Sequence, residues 1–192
     1  MTEAVPRGPD DCAKSNLVLC GYRGCGKSSV GRLLSQRLGW ELVDTDELVA
    51  KVAGHGIARI FAEEGEPAFR RMESAAIARV VAGRQRVISV GGGAVLSQRN
   101  RAWLKTAGLC IWLTAPPEEL YRRIQADPRS AVQRPALTAA PELSEVRQVL
   151  ASREPLYQEL ADHTVDTTGR GVEEVVEVIM KICETIGLTG AS

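Results

Sequence analysis

The chain has 192 residues, with 24 basic and 24 acidic side chains and no net formal charge. Balanced charge excludes a global pull toward nucleic acid or a membrane surface, and an aromatic content of 4% supplies no stacking platform for single strands. The length suits one domain with a real core, and no apolar run is long enough for a membrane span or shaped like a signal peptide.

Residues 1–15 are polar and hold two prolines, and they read as a flexible tail. The expected domain runs over 16–186, with a short tail at 187–192. The apolar run at 16–20 reads as a buried strand and leads into Gly21-Tyr22-Arg23-Gly24-Cys25-Gly26-Lys27-Ser28. That octet fits the phosphate-binding P-loop pattern. Its glycines let backbone N–H groups curl around an anion, and the following helix adds free donors at its N-terminus. Lys27 can reach the outer phosphates, and the Ser28 hydroxyl can ligate Mg²⁺. Gly24, Cys25, Gly26, Lys27, Ser28 and Ser29 are therefore the candidates for nucleotide contact. A helix is expected over 27–38, with Val30, Leu33, Leu34 and Leu38 on one side.

The five cysteines form no Cys-x-x-Cys pair, and only two histidines accompany them. A zinc site is not expected, and free cysteines suit a reducing cytoplasm.

The second strand, 41–44, ends in Asp44-Thr45-Asp46. In an extended chain both carboxylates face the same way, toward the P-loop side. One can hold Mg²⁺ through water, and the other can accept a hydrogen bond from an acceptor hydroxyl as base or orienter. The alternative is that Asp46 caps the helix expected at 46–53. Further helices are expected at 57–64 and 66–82. In the second of these Pro67 sits in the first turn, and Phe69, Met72, Ala76 and Val80 form the buried stripe. Arg70 and Glu73 are neighbours on that helix, which suits an arginine steadied for capture of an anion, or else a plain surface ion pair.

Strand 86–90 runs into Gly91-Gly92-Gly93, which permits close approach to backbone. The Walker-B aspartate common in P-loop proteins has no counterpart there, so Asp44 is the substitute metal carboxylate. Helix 97–106, strand 109–113 and helix 117–126 follow. Residues 127–142 hold three prolines with Arg129 and Arg134, and they read as a mobile lid that closes over phosphates, the alternative being a plain connector. Helix 143–161 carries Arg153, and strand 163–166 and helix 171–185 complete the chain. The alternation gives an α/β three-layer sandwich of P-loop kinase type, with a five-stranded parallel sheet.

Together these motifs resemble the shikimate kinase family over residues 16–185. The resemblance implies Gly24, Gly26, Lys27 and Ser28 around the ATP phosphates, Ser28 and Asp44 at Mg²⁺, and Asp46 on the shikimate hydroxyls. It also implies Arg70 and Arg153 on the shikimate carboxylate, Gly91, Gly92 and Gly93 against the ring, Arg134 over the transferring phosphate and Arg123 near adenine. The acceptor region is expected over 44–80. The lid departs from the family's Arg-Pro-Leu-Leu, reading Arg134-Pro135-Ala136-Leu137. The implied partners are shikimate and ATP, with no nucleic acid and no membrane, in a cytoplasmic monomer.

The residues alone support part of this. Asp46 in the acceptor pocket would repel a second phosphate and suits hydroxyls, while Arg70 and Arg153 suit an acid. That describes a polyhydroxy acid and leaves gluconate open beside shikimate. A GTPase switch would need Asn-Lys-x-Asp, which is absent. A sensor that binds without turnover would have no use for Lys27, Ser28, Asp44 and Asp46 together.

Overall fold

The structure, a computed structural model, describes residues 15–127 and 142–188. Residues 1–14 of the expected tail, 128–141 of the expected lid with Arg129 and Arg134, and 189–192 lie outside the described residues.

Five strands, β1 (Leu17–Cys20), β2 (Glu41–Asp44), β3 (Arg86–Ser89), β4 (Leu109–Thr114) and β5 (His163–Asp166), form one sheet in the order β2-β3-β1-β4-β5. Every pairing is parallel, with Val18 opposite both Ile88 and Cys110 in the centre. Among the described residues eight α-helices surround it: α1 (Lys27–Leu38), α2 (Thr45–Ala53), α3 (Ile57–Glu63), α4 (Gly65–Val81), α5 (Gln98–Ala107), α6 (Pro117–Ala126), α7 (Leu143–Leu160) and α8 (Val172–Thr185). A 3₁₀ turn at Ala94–Leu96, which the sequence pattern does not announce, precedes α5.

The unbroken apolar run of β1 serves two faces. Leu17 and Leu19 pack with α1, α6 and α8, whereas Val18 and Cys20 pack with α4, α5 and the end of α7. Both faces of the sheet's centre are covered this way, so β1 and β4 carry no polar alternation. A smaller cluster of Val49, Ile57, Ile60 and Phe69 joins α2, α3 and α4 beside the sheet.

Because all strands run parallel, their carboxyl ends lie along one edge. The loop after β1, the turn into α2, the glycines after β3 and the turn after β5 all open there, where α/β sheets bind ligands.

Candidate active site

The P-loop leaves β1 at Gly21, whose φ is 137°, and reaches α1 through Gly26, whose φ is 94°. Gly24 must also lack a side chain, since a Cβ there would meet the Leu120 carbonyl at 3.0 Å. Gly26 caps α1 without a side-chain hydrogen bond, and the first turn holds no acidic residue. The free amides of that turn are thus left for an anion. Ser28 and Ser29 are exposed at this helix start. Lys27 folds back on the loop, donating to the Gly21 carbonyl at 2.8 Å and the Tyr22 carbonyl at 3.0 Å. Its Nζ also lies 3.6 Å from the buried Cys25 Sγ.

The two aspartates take different places from those expected. The helix begins at Thr45, so Asp44 rather than Asp46 is the N-cap, accepting from the amides of Asp46 at 2.9 Å and Glu47 at 3.4 Å. The Ser89 hydroxyl donates to its other oxygen at 3.0 Å. Burial, and then the nearby Asp46 charge, push the Asp44 carboxyl up from its ordinary value. Asp46 projects from the first turn of α2 instead of an extended strand, against Gly91.

The glycine run makes room for the site's own side chains. A Cβ on Gly91 would stand 2.5 Å from Asp46 Oδ1 and 2.9 Å from Glu73 Oε1, and one on Gly93 would overlap the Arg70 guanidinium. The Gly91 amide donates to Thr45 Oγ1 at 3.2 Å, tying the turn after β3 to the start of α2.

Arg70 is held from two sides. Nη1 donates to Glu73 Oε2 at 2.8 Å, and Nε and Nη2 donate to Glu66 Oε1 at 3.1 and 2.9 Å. Glu73 is itself buried. Burial works against the Arg70 charge, but the two glutamates outweigh it and raise its pKa. Arg153 on α7 donates to the Gly92 carbonyl at 3.2 Å. Tyr157, one turn on, donates to the same carbonyl at 2.6 Å and stacks on Trp112 at 5.7 Å.

Arg70, Gly92, Gly93 and Arg153 line one cavity, which the P-loop residues Tyr22 and Arg23 also enter. Asp46 and Gly91 abut it through Glu73. Arg123 lies apart from it. Its guanidinium joins Glu119 Oε1 at 2.7 Å, Thr167 Oγ1 at 2.9 Å, the Thr167 carbonyl at 2.8 Å and the Gly24 carbonyl at 3.4 Å. It thus bridges the P-loop to the turn after β5. Arg134 lies outside the described residues.

Among the described residues no group of three or more His, Cys, Asp and Glu side chains gathers to hold a metal. That donor set still fits Mg²⁺, which takes one or two protein ligands and the substrate phosphates rather than an all-protein cage. No helix among the described residues is long and apolar enough to cross a membrane.

Sequence reasoning missed Thr45, Ser89, Glu119, Thr167 and Tyr157 as supports of the site. Of these only Tyr157 carried a signal, since its position one turn after Arg153 places both on one helix face.

A family model described as shikimate kinase matches residues 23–184. A shikimate kinase of Rhodopirellula baltica is 41% identical over 90% of this chain and 92% of its own length. One from Symbiobacterium thermophilum is 44% identical over 91% of this chain and 99% of its own. Among solved structures, a shikimate kinase from Acinetobacter baumannii in complex with shikimate superposes with a TM-score of 0.84 at 31% identity, covering 90% of this chain and 94% of that one.

Proposed function

The chain belongs to the shikimate kinase family, and from that premise we propose how its residues divide the work. It is an ATP-dependent kinase that uses Mg²⁺ and phosphorylates the 3-hydroxyl of shikimate, giving shikimate 3-phosphate and ADP.

The free amides of α1 and the Lys27 ammonium hold the outer phosphates of the nucleotide. Ser28 and Asp44 would hold Mg²⁺, Asp44 with oxygens that already serve the α2 amides and Ser89. When bound, Mg²⁺ would supply charge that offsets the phosphate oxygens. Asp46 takes the proton of the attacking hydroxyl or orients it. Arg70 and Arg153 bind the substrate carboxylate as planar forks. The Gly91, Gly92 and Gly93 backbone borders the ring. Arg123 fixes the turn at Thr167 on the nucleotide side, and Arg134 belongs over the transferring group. The protein acts as a cytoplasmic monomer.

The observation that carries the substrate reading is the meeting of Arg70 and Arg153 in one cavity, with Asp46 adjoining it. Arg70 and Arg153 beside a carboxylate match an acid that also bears hydroxyls. An ADP-release assay with shikimate and gluconate offered separately tests it. Turnover with shikimate alone is expected, and turnover with gluconate alone would overturn the assignment.

A further inference from the structure

The cavity between the P-loop, α4 and α7 is lined by three arginines, and two have partners on the protein. Arg70 is bound by Glu66 and Glu73, and Arg153 by the Gly92 carbonyl. Arg23 differs. Its Nε is shielded from solvent and has no hydrogen-bond partner among the described residues. Its guanidinium carbon lies 5.9 Å from the Tyr22 ring centroid.

Desolvating part of a guanidinium without a hydrogen-bonding anion is unfavourable, so the working complex is expected to supply one. Position decides which. Arg23 belongs to the P-loop, four residues before Lys27, so it occupies the phosphate side of the cavity. Its amide lies 3.7 Å from where a Gly92 Cβ would stand, so it also adjoins the acceptor's seat. The carboxylate of the acceptor already has Arg70 and Arg153. The remaining anion is the phosphoryl group after transfer, which brings about two negative charges to the acceptor.

We propose that Arg23 binds the phosphoryl group once it is on the acceptor, so that the site prefers the phosphorylated product to the acid it started from. This rests on the shikimate reading above. In the transfer the bond from phosphorus to the ADP oxygen breaks and the bond to the acceptor oxygen forms. The hydroxyl proton leaves toward Asp46. Arg23 exchanges no proton and contributes charge only.

The test is calorimetric titration of the wild type, Arg23→Gln and Arg23→Lys with shikimate and, separately, with shikimate 3-phosphate. The wild type should bind the product more tightly than the acid. Arg23→Gln should weaken product binding about 10-fold or more, the scale of a lost hydrogen bond to a charged group, and leave shikimate binding within about 2-fold. Arg23→Lys should recover part of the loss. A thermal melt of each variant shows whether it is folded. Equal losses for both ligands, or no loss for either, would overturn the proposal while leaving the shikimate reading intact. A folded wild type that binds neither ligand would overturn that reading and this proposal with it.

Discussion

Tyr157 holds the carbonyl of Gly92 by a 2.6 Å hydrogen bond, from a side chain that has no exposed surface. The same carbonyl receives Arg153, so the buried phenol and this arginine share one acceptor. Burial pushes the Tyr157 hydroxyl well above its ordinary pKa, so it stays a neutral donor at any physiological pH. We predict that Tyr157→Phe lowers stability by about 1–2 kcal/mol, because it removes the shorter of the carbonyl's two bonds. It should also raise KM for shikimate while KM for ATP holds. Urea unfolding and steady-state kinetics check both. Unchanged KM for shikimate with full loss of stability would make Tyr157 a packing residue only.

Asp44 sits where stability and function oppose each other. Its folded-state pKa is raised, first by burial and then by Asp46. A raised carboxyl pKa favours the fold below the unfolded value and loses that benefit as pH rises through the folded one. At pH 7 the charged form is therefore a cost. Asn keeps the cap acceptor for the α2 amides and has no charge to bury. We predict that Asp44→Asn melts higher than wild type at pH 7, and that the difference shrinks as pH falls through the carboxylate range. Activity should fall, with more Mg²⁺ needed for half-maximal rate. A lower melting temperature at pH 7 would show that the charge at the helix start outweighs its burial.

Arg70→Lys and Arg153→Lys keep charge and lose the planar fork. Each should weaken shikimate binding by about 1.5–3 kcal/mol, with ATP affinity nearly constant. Arg70→Lys should cost the more, since Arg70 also loses a two-sided seat on Glu66 and Glu73. Shikimate titrations decide it, and unchanged affinity in both variants would remove these arginines from the substrate site.

The strands and the P-loop were legible because their signals are local. A doubly covered strand must be apolar throughout, and a loop of positive φ needs glycine at fixed spacing. The start of α2 misled by one residue. Residues 44 and 46 share a face only while the chain stays extended, and the Asp44 cap ends the extension at Thr45. Tyr157 to Gly92 and Arg123 to Thr167 join residues far apart in sequence, 65 and 44 positions respectively, and no local pattern records such pairs. The glycine run after β3 was read as room for a ligand. Its Cβ positions are filled by Asp46, Glu73 and Arg70, which only the packed turn reveals.

Lys27 braces its own loop in the structure, and the phosphate role proposed for it draws on the same ammonium. Its ammonium is hydrogen-bonded to the Gly21 and Tyr22 carbonyls, so it braces the loop from within. To reach the phosphates it must exchange at least one carbonyl for an anionic oxygen, a stronger partner for a charged donor. Lys27→Ala removes both duties. Lys27→Met keeps the stem and loses the charge. We predict that both variants lose about 10²-fold or more in kcat, the scale of removing preorganised charge at a developing anion. Both should also unfold at a lower urea concentration than wild type, because the Gly21 and Tyr22 carbonyls lose the ammonium, with Tyr22 keeping the Cys25 amide. Added ADP with Mg²⁺ should raise the melting temperature of wild type more than that of either variant, since ligand stabilisation follows affinity. Near-normal turnover in a folded Lys27→Ala protein would sink the assignment of this loop to phosphate binding. An equal shift with ADP in all three proteins would leave Lys27 only the transfer step.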